Sequence, residues 1–287
     1  MTAACYSARR GVTFFLLAPV LLIVAVGYVL PSIALVAMSF ELPFQWPESF
    51  ATFTARNYQK LALDPYYLKI LAYTFALGLV VATITAVAAF PVAIYLARTR
   101  GRIASLYAVL TFTPLAVGMN MLTLGWMVIL GRTGFINSLL TGVGLISDPL
   151  QLLYGWGSIV IGMAHVTFTF MVLPLEAVIR QIDPALEKAA RMLGAGPVRT
   201  FLSVTLPLSM QGVAAGFLIV FLQVCGAFVL PLLLGGQSSS TIPISIWEQI
   251  TVSSDRPFAS VLSVVLMAAS IVVMMIQLRV MRGKDLV

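Results

Sequence analysis

The sequence predicts an all-α integral membrane protein of six transmembrane helices, with both termini in the cytoplasm. Three observations predict it. Of the 287 residues, 60% are hydrophobic and only 9% are charged, and the mean hydropathy is +1.02. A soluble globular chain is about half apolar and a quarter charged, so the surplus apolar surface has to face lipid. The apolar residues also gather into runs of the ~20 residues that a helix needs to cross the hydrocarbon layer. Finally, lysine and arginine fall unevenly among the connections between those runs.

The runs place the six spans at about residues 12–40, 67–97, 103–130, 155–179, 208–234 and 258–280. The first is far longer than the ~7–15-residue apolar stretch of a cleaved signal peptide, so it reads as a retained helix despite Arg9 and Arg10 ahead of it. Pro19, Pro31, Pro91, Pro114 and Pro174 fall in or near these spans. Neighbouring helices can re-satisfy the backbone groups a proline frees, so kinks are expected there rather than ends. The connection over residues 41–66 is long enough for structure of its own. That over 131–154, with Gly131, Gly134, Gly142 and Gly144, suits turns.

An even number of spans puts both termini on one side. That side holds Arg9, Arg10, Arg98, Arg100, Arg102, Arg180, Lys188, Arg191, Arg199, Arg279, Arg282 and Lys284. The opposite side holds only Arg56, Lys60, Lys69, Arg132 and Arg256. The richer side is the cytoplasmic one. The net charge of +7 is thus a matter of topology and not of nucleic-acid binding. The organisation is a cytoplasmic N-terminus over residues 1–11, a single membrane domain over 12–280 and a cytoplasmic C-terminus over 281–287. Cys5 and Cys225 are far apart and suggest neither a disulfide framework nor a metal site.

One cytoplasmic connection, residues 181–207, breaks the apolar pattern with EKAARMLGAGPVRTFLSVTLP. Asp183 is a good N-cap and Pro184 suits a first helical position. Leu186, Ala189, Ala190 and Leu193 recur at the spacing of one helical face, with Glu187, Lys188 and Arg191 off it. Gly194 stands where a helix-ending glycine belongs. Pro197 opens a second short helix, in which Val198, Phe201, Leu202 and Thr205 repeat the spacing, and Pro207 marks the entry to the fifth span. Helices this short are marginal in water, so each has to rest on something. A linker lying on lipid would explain the amphipathic faces but not the paired helices, the glycine corner and the small alanines together.

This stretch resembles the EAA loop of permease subunits of bacterial ATP-binding-cassette importers. Ala189-Ala190, Gly194 and Val204-Thr205-Leu206-Pro207 match that pattern. Lys188 holds the position of the pattern's glutamate, with Glu187 just before it. The first span with Pro19, Pro31 and Ser39-Phe40, the stretch from Leu130 to Asn137 and the stretch from Pro231 to Gly236 extend the likeness, most closely toward spermidine/putrescine-type permeases. Iron, thiamine, phosphonate and opine systems share these features. The resemblance implies a type I, MetI-like permease of the bacterial inner membrane that forms half of a solute path. It also implies separate ATPase subunits docked on the loop, a second permease subunit, expected as a heterodimer partner, and a periplasmic or lipid-anchored solute-binding protein. In the loop it points to Glu187, Lys188, Ala189, Ala190, Gly194, Pro197, Phe201, Leu206 and Pro207. The chain has no G-x-x-x-x-G-K-[ST] phosphate loop, so ATP and magnesium belong to a partner, with no cofactor or metal on this chain.

Three polar residues inside spans, Asn120, His165 and Gln223, are candidates for the solute path, although bonding between helices is an equally ordinary use for each. Ser158 lies seven residues before His165 on about the same helical face. An intramembrane hydrolase would need a G-x-S-x-G elbow and a third orienting group, and neither is present in the sequence. Glu176 and Arg180 suit an i, i+4 ion pair. Trp126, Trp156 and Trp247 read as interfacial anchors. Met119, Met121 and Met127 read as packing residues. Acids such as Glu48, Asp64, Glu248 and Asp255 are placed to attract a cationic solute at the outer face, although solvated loop charges or contacts to the binding protein are the default use for them. A stand-alone secondary transporter or channel would want inverted repeats or ion sites inside the membrane, and neither is evident.

Overall fold

The computed structural model describes residues 18–41, 53–236 and 239–282, and all regular structure within them is helical. Segments 1–17, 42–52 and 283–287, with Cys5, Arg9, Arg10, Glu48 and Lys284, lie outside the described residues. The helices are α1 (Ala18–Ser39), α2 (Arg56–Leu63), α3 (Pro65–Arg98), α4 (Arg102–Val117), α5 (Met119–Leu130) and α6 (Phe135–Gly142). They continue with α7 (Trp156–Gln181), α8 (Pro184–Met192), α9 (Pro197–Cys225), α10 (Val229–Gly235), α11 (Ile242–Thr251) and α12 (Arg256–Arg282). Six helical stretches among the described residues are long and apolar enough to cross a membrane: α1, α3, Met119–Gly142, α7, α9 and Arg256–Arg279 within α12.

The second, fourth and sixth spans lie where hydropathy places them, with Pro91 and Pro174 inside unbroken helices. The third does not. It divides at Gly118, whose φ of 80° belongs to the left-handed region, so α4 and α5 are separate helices. The fifth starts earlier and stops earlier than expected. Its helix begins at Pro197 and ends at Cys225, where Gly226 donates back to Leu222 O. The remaining apolar residues form the short α10. Hydropathy also overlooks α6, within the stretch expected to turn, and α11.

Two prolines are absorbed by the same device. Pro31 and Pro207 each follow a five-residue π turn, Ala25–Val29 and Phe201–Thr205. In each, the residue just before the proline donates its N–H five residues back, Leu30 to Ala25 O and Leu206 to Phe201 O. A proline in an α-helix removes one ladder bond and drives its ring into the carbonyl four residues back. A wider turn relieves that collision and lets the helix continue.

The described residues divide into two compact units, one within Met1–Asp64 and Ile246–Val265, the other within Pro65–Ser245 and Leu266–Val287. In the first, Asn57 Nδ2 reaches Glu41 O (2.7 Å) and Ser39 O (3.4 Å), satisfying carbonyls at the end of α1. Ser39 Oγ and Tyr58 OH are 2.7 Å apart. Lys60 Nζ sits 3.6 Å from Asp255 Oδ2 and 4.0 Å from the centre of the Phe258 ring.

The larger unit is built on α3, α7 and α9. Leu77, Val81, Ile159, Met163, Leu175 and Val220 are completely buried in its core. Lipid tails are as apolar as leucine, so close packing has to hold such helices together. Glycines provide it. A Cβ on Gly78 would stand 2.9 Å from Phe221 and Cys225. On Gly212 it would meet Pro174 O at 2.9 Å and Leu175 Cα at 3.0 Å, and on Gly216 it would meet Met171 Cα and O at 3.2 Å. At Gly212 the obstruction is backbone, which cannot rotate away. Gly212→Val should therefore destabilise the protein by about 1–3 kcal/mol. It should lower the melting temperature of the detergent-solubilised protein. Gly125→Ala, where a Cβ meets nothing within 4 Å and alanine favours the helix, should not lower it.

Candidate functional site

The connection between α7 and α9 is built by local rules. Asp183 Oδ1 accepts the N–H of Ala185 at 2.8 Å, and Pro184 takes the first turn, where its missing donor is not needed. At the other end Gly194 has φ +87°, its N–H bonds Arg191 O (3.0 Å), and Ala195 N–H bonds Ala190 O (3.1 Å). This paired closure needs a residue in the left-handed conformation, which glycine adopts without a Cβ penalty. No heavy atom lies within 4 Å of a Cβ built on Gly194, so its role is conformational. α8 is thus capped as the sequence indicates. The second loop helix is not separate, however. Pro197 opens α9 itself, which runs through the π turn into the membrane span, so Phe201, Leu206 and Pro207 lie within one continuous helix.

Glu187 turns inward. Its Oε1 accepts from Arg98 Nη2 at 2.9 Å and from Thr205 Oγ1 at 3.2 Å. Arg98 Nη1 also donates to Ile182 O at 2.8 Å. One carboxylate oxygen therefore ties α8 to the end of α3 and to the start of α9. Arg180 mirrors this. It pairs with Glu176 (Nε 2.9 Å, Nη2 2.6 Å), the spacing the sequence suggests, and its Nη2 reaches Leu96 O at 3.3 Å. Each arginine donates to a carbonyl at the C-terminal end of the other's helix, where orphan acceptors and the helix dipole favour a cation. Sequence reasoning used Arg98 only to set orientation and took Thr205 as part of an apolar face. An arginine inside the last turn of a span was the signal available.

The other side of α8 is open. At ~100° per residue, Ala185, Ala189 and Met192 point away from Glu187, and Lys188 flanks them. Lys188 is exposed, Met192 and Leu193 are 88% and 90% exposed, and Val198 is 71% exposed. Leu186 and Ala189, expected on a packed face, are exposed too, and Ala190 is half-buried. Phe201 is half-buried and meets Phe90 edge-on at 5.3 Å.

Of the three polar candidates inside spans, one has a hydrogen-bond partner among the described residues. His165 Nδ1 accepts from Trp126 Nε1 at 3.2 Å, joining α7 to α5, so Trp126 bonds between helices instead of serving only as an anchor. Asn120 is exposed and Gln223 half-buried, and the side chains of both lack hydrogen-bond partners among the described residues. Ser158 Oγ is buried and shared between the carbonyls of Gly155 (2.7 Å) and Leu234 (2.9 Å). It therefore serves packing and forms no dyad with His165.

Glu187→Gln keeps the shape of the tie and removes its charge. Arg98 and Glu187 are each only about a fifth exposed, so a loss of roughly 1–2 kcal/mol is expected, below the full value of a charged hydrogen bond. Local opening of α8 should rise about 5–30-fold. Trypsin cleavage after Lys188 or Arg191 reads it, under conditions where cleavage follows opening. Arg98→Gln, which also gives up the bond to Ile182 O, should open α8 at least as much, and adding Glu187→Gln to it should change little. An unchanged cleavage rate would contradict the tie.

Residues 89–284 match the family described as binding-protein-dependent transport system inner membrane component. Over 237 residues the chain is 30% identical to the spermidine/putrescine transport system permease protein PotB of Salmonella typhimurium (strain SL1344), spanning 83% of this chain and 82% of that one. The PotB of Escherichia coli (strain K12) is also 30% identical over 237 residues, 83% of this chain and 86% of that protein. The putative ferric transport system permease protein FbpB 1 of Haemophilus influenzae is 29% identical over 230 residues, 79% of this chain but 36% of its own length. In fold, a chain of a bacterial ABC transporter involved in the import of the acidic polysaccharide alginate superposes with a TM-score of 0.74, at 17% identity and 96% of both chains. Six apolar stretches long enough to cross a membrane and a capped loop helix with an exposed face agree with that likeness. The chain belongs to the inner membrane components of binding-protein-dependent transport systems and is a permease subunit of an ABC importer.

Proposed function

We propose that this chain is a non-catalytic permease subunit for polyamines, paired with a second permease subunit and driven by separate ATPase subunits docked on residues 181–207. The 30% identity to spermidine/putrescine permeases over 83% of the chain carries the solute class. The open face of α8 supports the docking: Met192 and Leu193 are too exposed to serve the chain's own core, and such a patch suits a partner protein. Both termini lie in the cytoplasm, as the distribution of lysine and arginine indicates. A solute-binding protein delivers the polyamine from outside. ATP and magnesium stay on the ATPase subunits. Ala190, Gly194 and Pro197 shape the corner through which nucleotide-driven closure reaches α9, and Lys188, Ala189 and Met192 face the motor. Asn120, His165 and Gln223 are the path candidates, and the Trp126–His165 bond fixes one of them in place.

Uptake measured in cells carrying the full transporter tests the solute. Labelled spermidine should enter, unlabelled putrescine should compete, and ferric chelates, amino acids and sugars should not. Competition by ferric iron alone would replace polyamine by metal. Gly194→Val forces a β-branched residue into the left-handed region, at a cost of order 1–3 kcal/mol. Uptake should fall while the chain still inserts in the membrane and ATP hydrolysis loses its dependence on solute. Unchanged uptake would remove the coupling role.

A further inference from the structure

Charge on the loop is sorted by direction. Residues 181–207 contain two acids, Asp183 and Glu187, and three cations, Lys188, Arg191 and Arg199. Both acids are engaged within the chain. Asp183 caps the first turn of α8, and Glu187 lies under Arg98 and Thr205. The three cations are exposed and form no ion pair among the described residues. Lys188 flanks the outward strip of Ala185, Ala189 and Met192, a patch of small and apolar side chains onto which another surface can close. A docked surface would therefore meet positive charge at that patch with no carboxylate beside it to neutralise it. Burying a cation without a partner is costly, and complementary potential across an interface sets register and partner choice.

From this placement we infer that the groove receiving α8 is acid-rimmed: the ATPase subunit of this transporter presents an aspartate or glutamate to Lys188. The inference rests on the docking reading above and adds the chemistry of the partner. It also separates two adjacent residues by role. Glu187 positions the loop from within, and Lys188 selects the motor from without.

The complex purified with its own ATPase subunits provides the test. Carbodiimide joins a lysine amine to a carboxylate only in direct contact, and peptide mass spectrometry should find Lys188 linked to an acid of the ATPase. Met192→Cys, treated with a short thiol cross-linker, should link to the same subunit. Lys188→Glu should weaken ATPase association about ten-fold or more. Lys188→Gln should weaken it less and flatten its salt dependence. Exchanging the linked acid for lysine should restore association with the Lys188→Glu chain. A Met192→Cys link with no carboxylate link at Lys188, and undiminished association of Lys188→Glu, would overturn the acid-rimmed groove and leave docking intact. Absence of both links would overturn docking itself, and the acid-rimmed groove with it.

Discussion

Close approach of three backbones governs the larger unit. Between α3, α7 and α9, glycines at 78, 212 and 216 admit neighbours that any side chain would displace. In lipid this contact has to come from shape, because burying apolar surface against other apolar surface gains little there. The seam fixes where the C-terminal ends of α3 and α7 stand. Only from those positions can Arg98 reach Ile182 O and Arg180 reach Leu96 O. The crossing arginines then locate Glu187, and Glu187 locates α8. The placement of a short connecting helix thus descends from van der Waals contact deep in the bundle.

Such an arrangement holds a short helix firmly while leaving one of its faces exposed. α8 is too short to hold its shape by hydrogen bonds alone. It has a cap at each end, an ion pair to α3 and a hydrogen bond from α9. Its remaining surface is free. The first turns of α9 belong to the same helix that crosses the membrane, so a push at the corner near Gly194 acts directly on a span. The likeness to the alginate importer concerns the fold, and the polyamine reading comes from sequence identity to the PotB proteins.

What could be read in the sequence was what depends on composition or on near neighbours. The spans follow from apolar runs, and α8 follows from Asp183, Pro184 and Gly194, each acting within a turn of itself. The breaks at Gly118 and Gly226 could not be read, because Gly78, Gly162, Gly212 and Gly216 occupy similar apolar surroundings and continue their helices. The second loop helix was misread because Pro207 looks like a start, whereas a π turn carries the helix past it. The tie between Arg98 and Glu187 spans 89 positions and the Trp126–His165 bond spans 39. Each exists only once the helices are packed. Picking out Asn120, His165 and Gln223 as polar residues inside spans therefore could not show which of them has a partner.

The π turn at Phe201–Thr205 has a geometric consequence beyond accommodating a proline. One extra residue in a helical turn rotates everything before it by about 100° relative to everything after it. α9 is therefore two helical phases in one rod. The phase after the turn is locked by the glycine seam. The phase before it sets the direction in which Val198 and Arg199 point, and it can be reset by gaining or losing a single residue at that turn. A change there would redirect the exposed side chains of the connection while leaving the later half of the rod untouched.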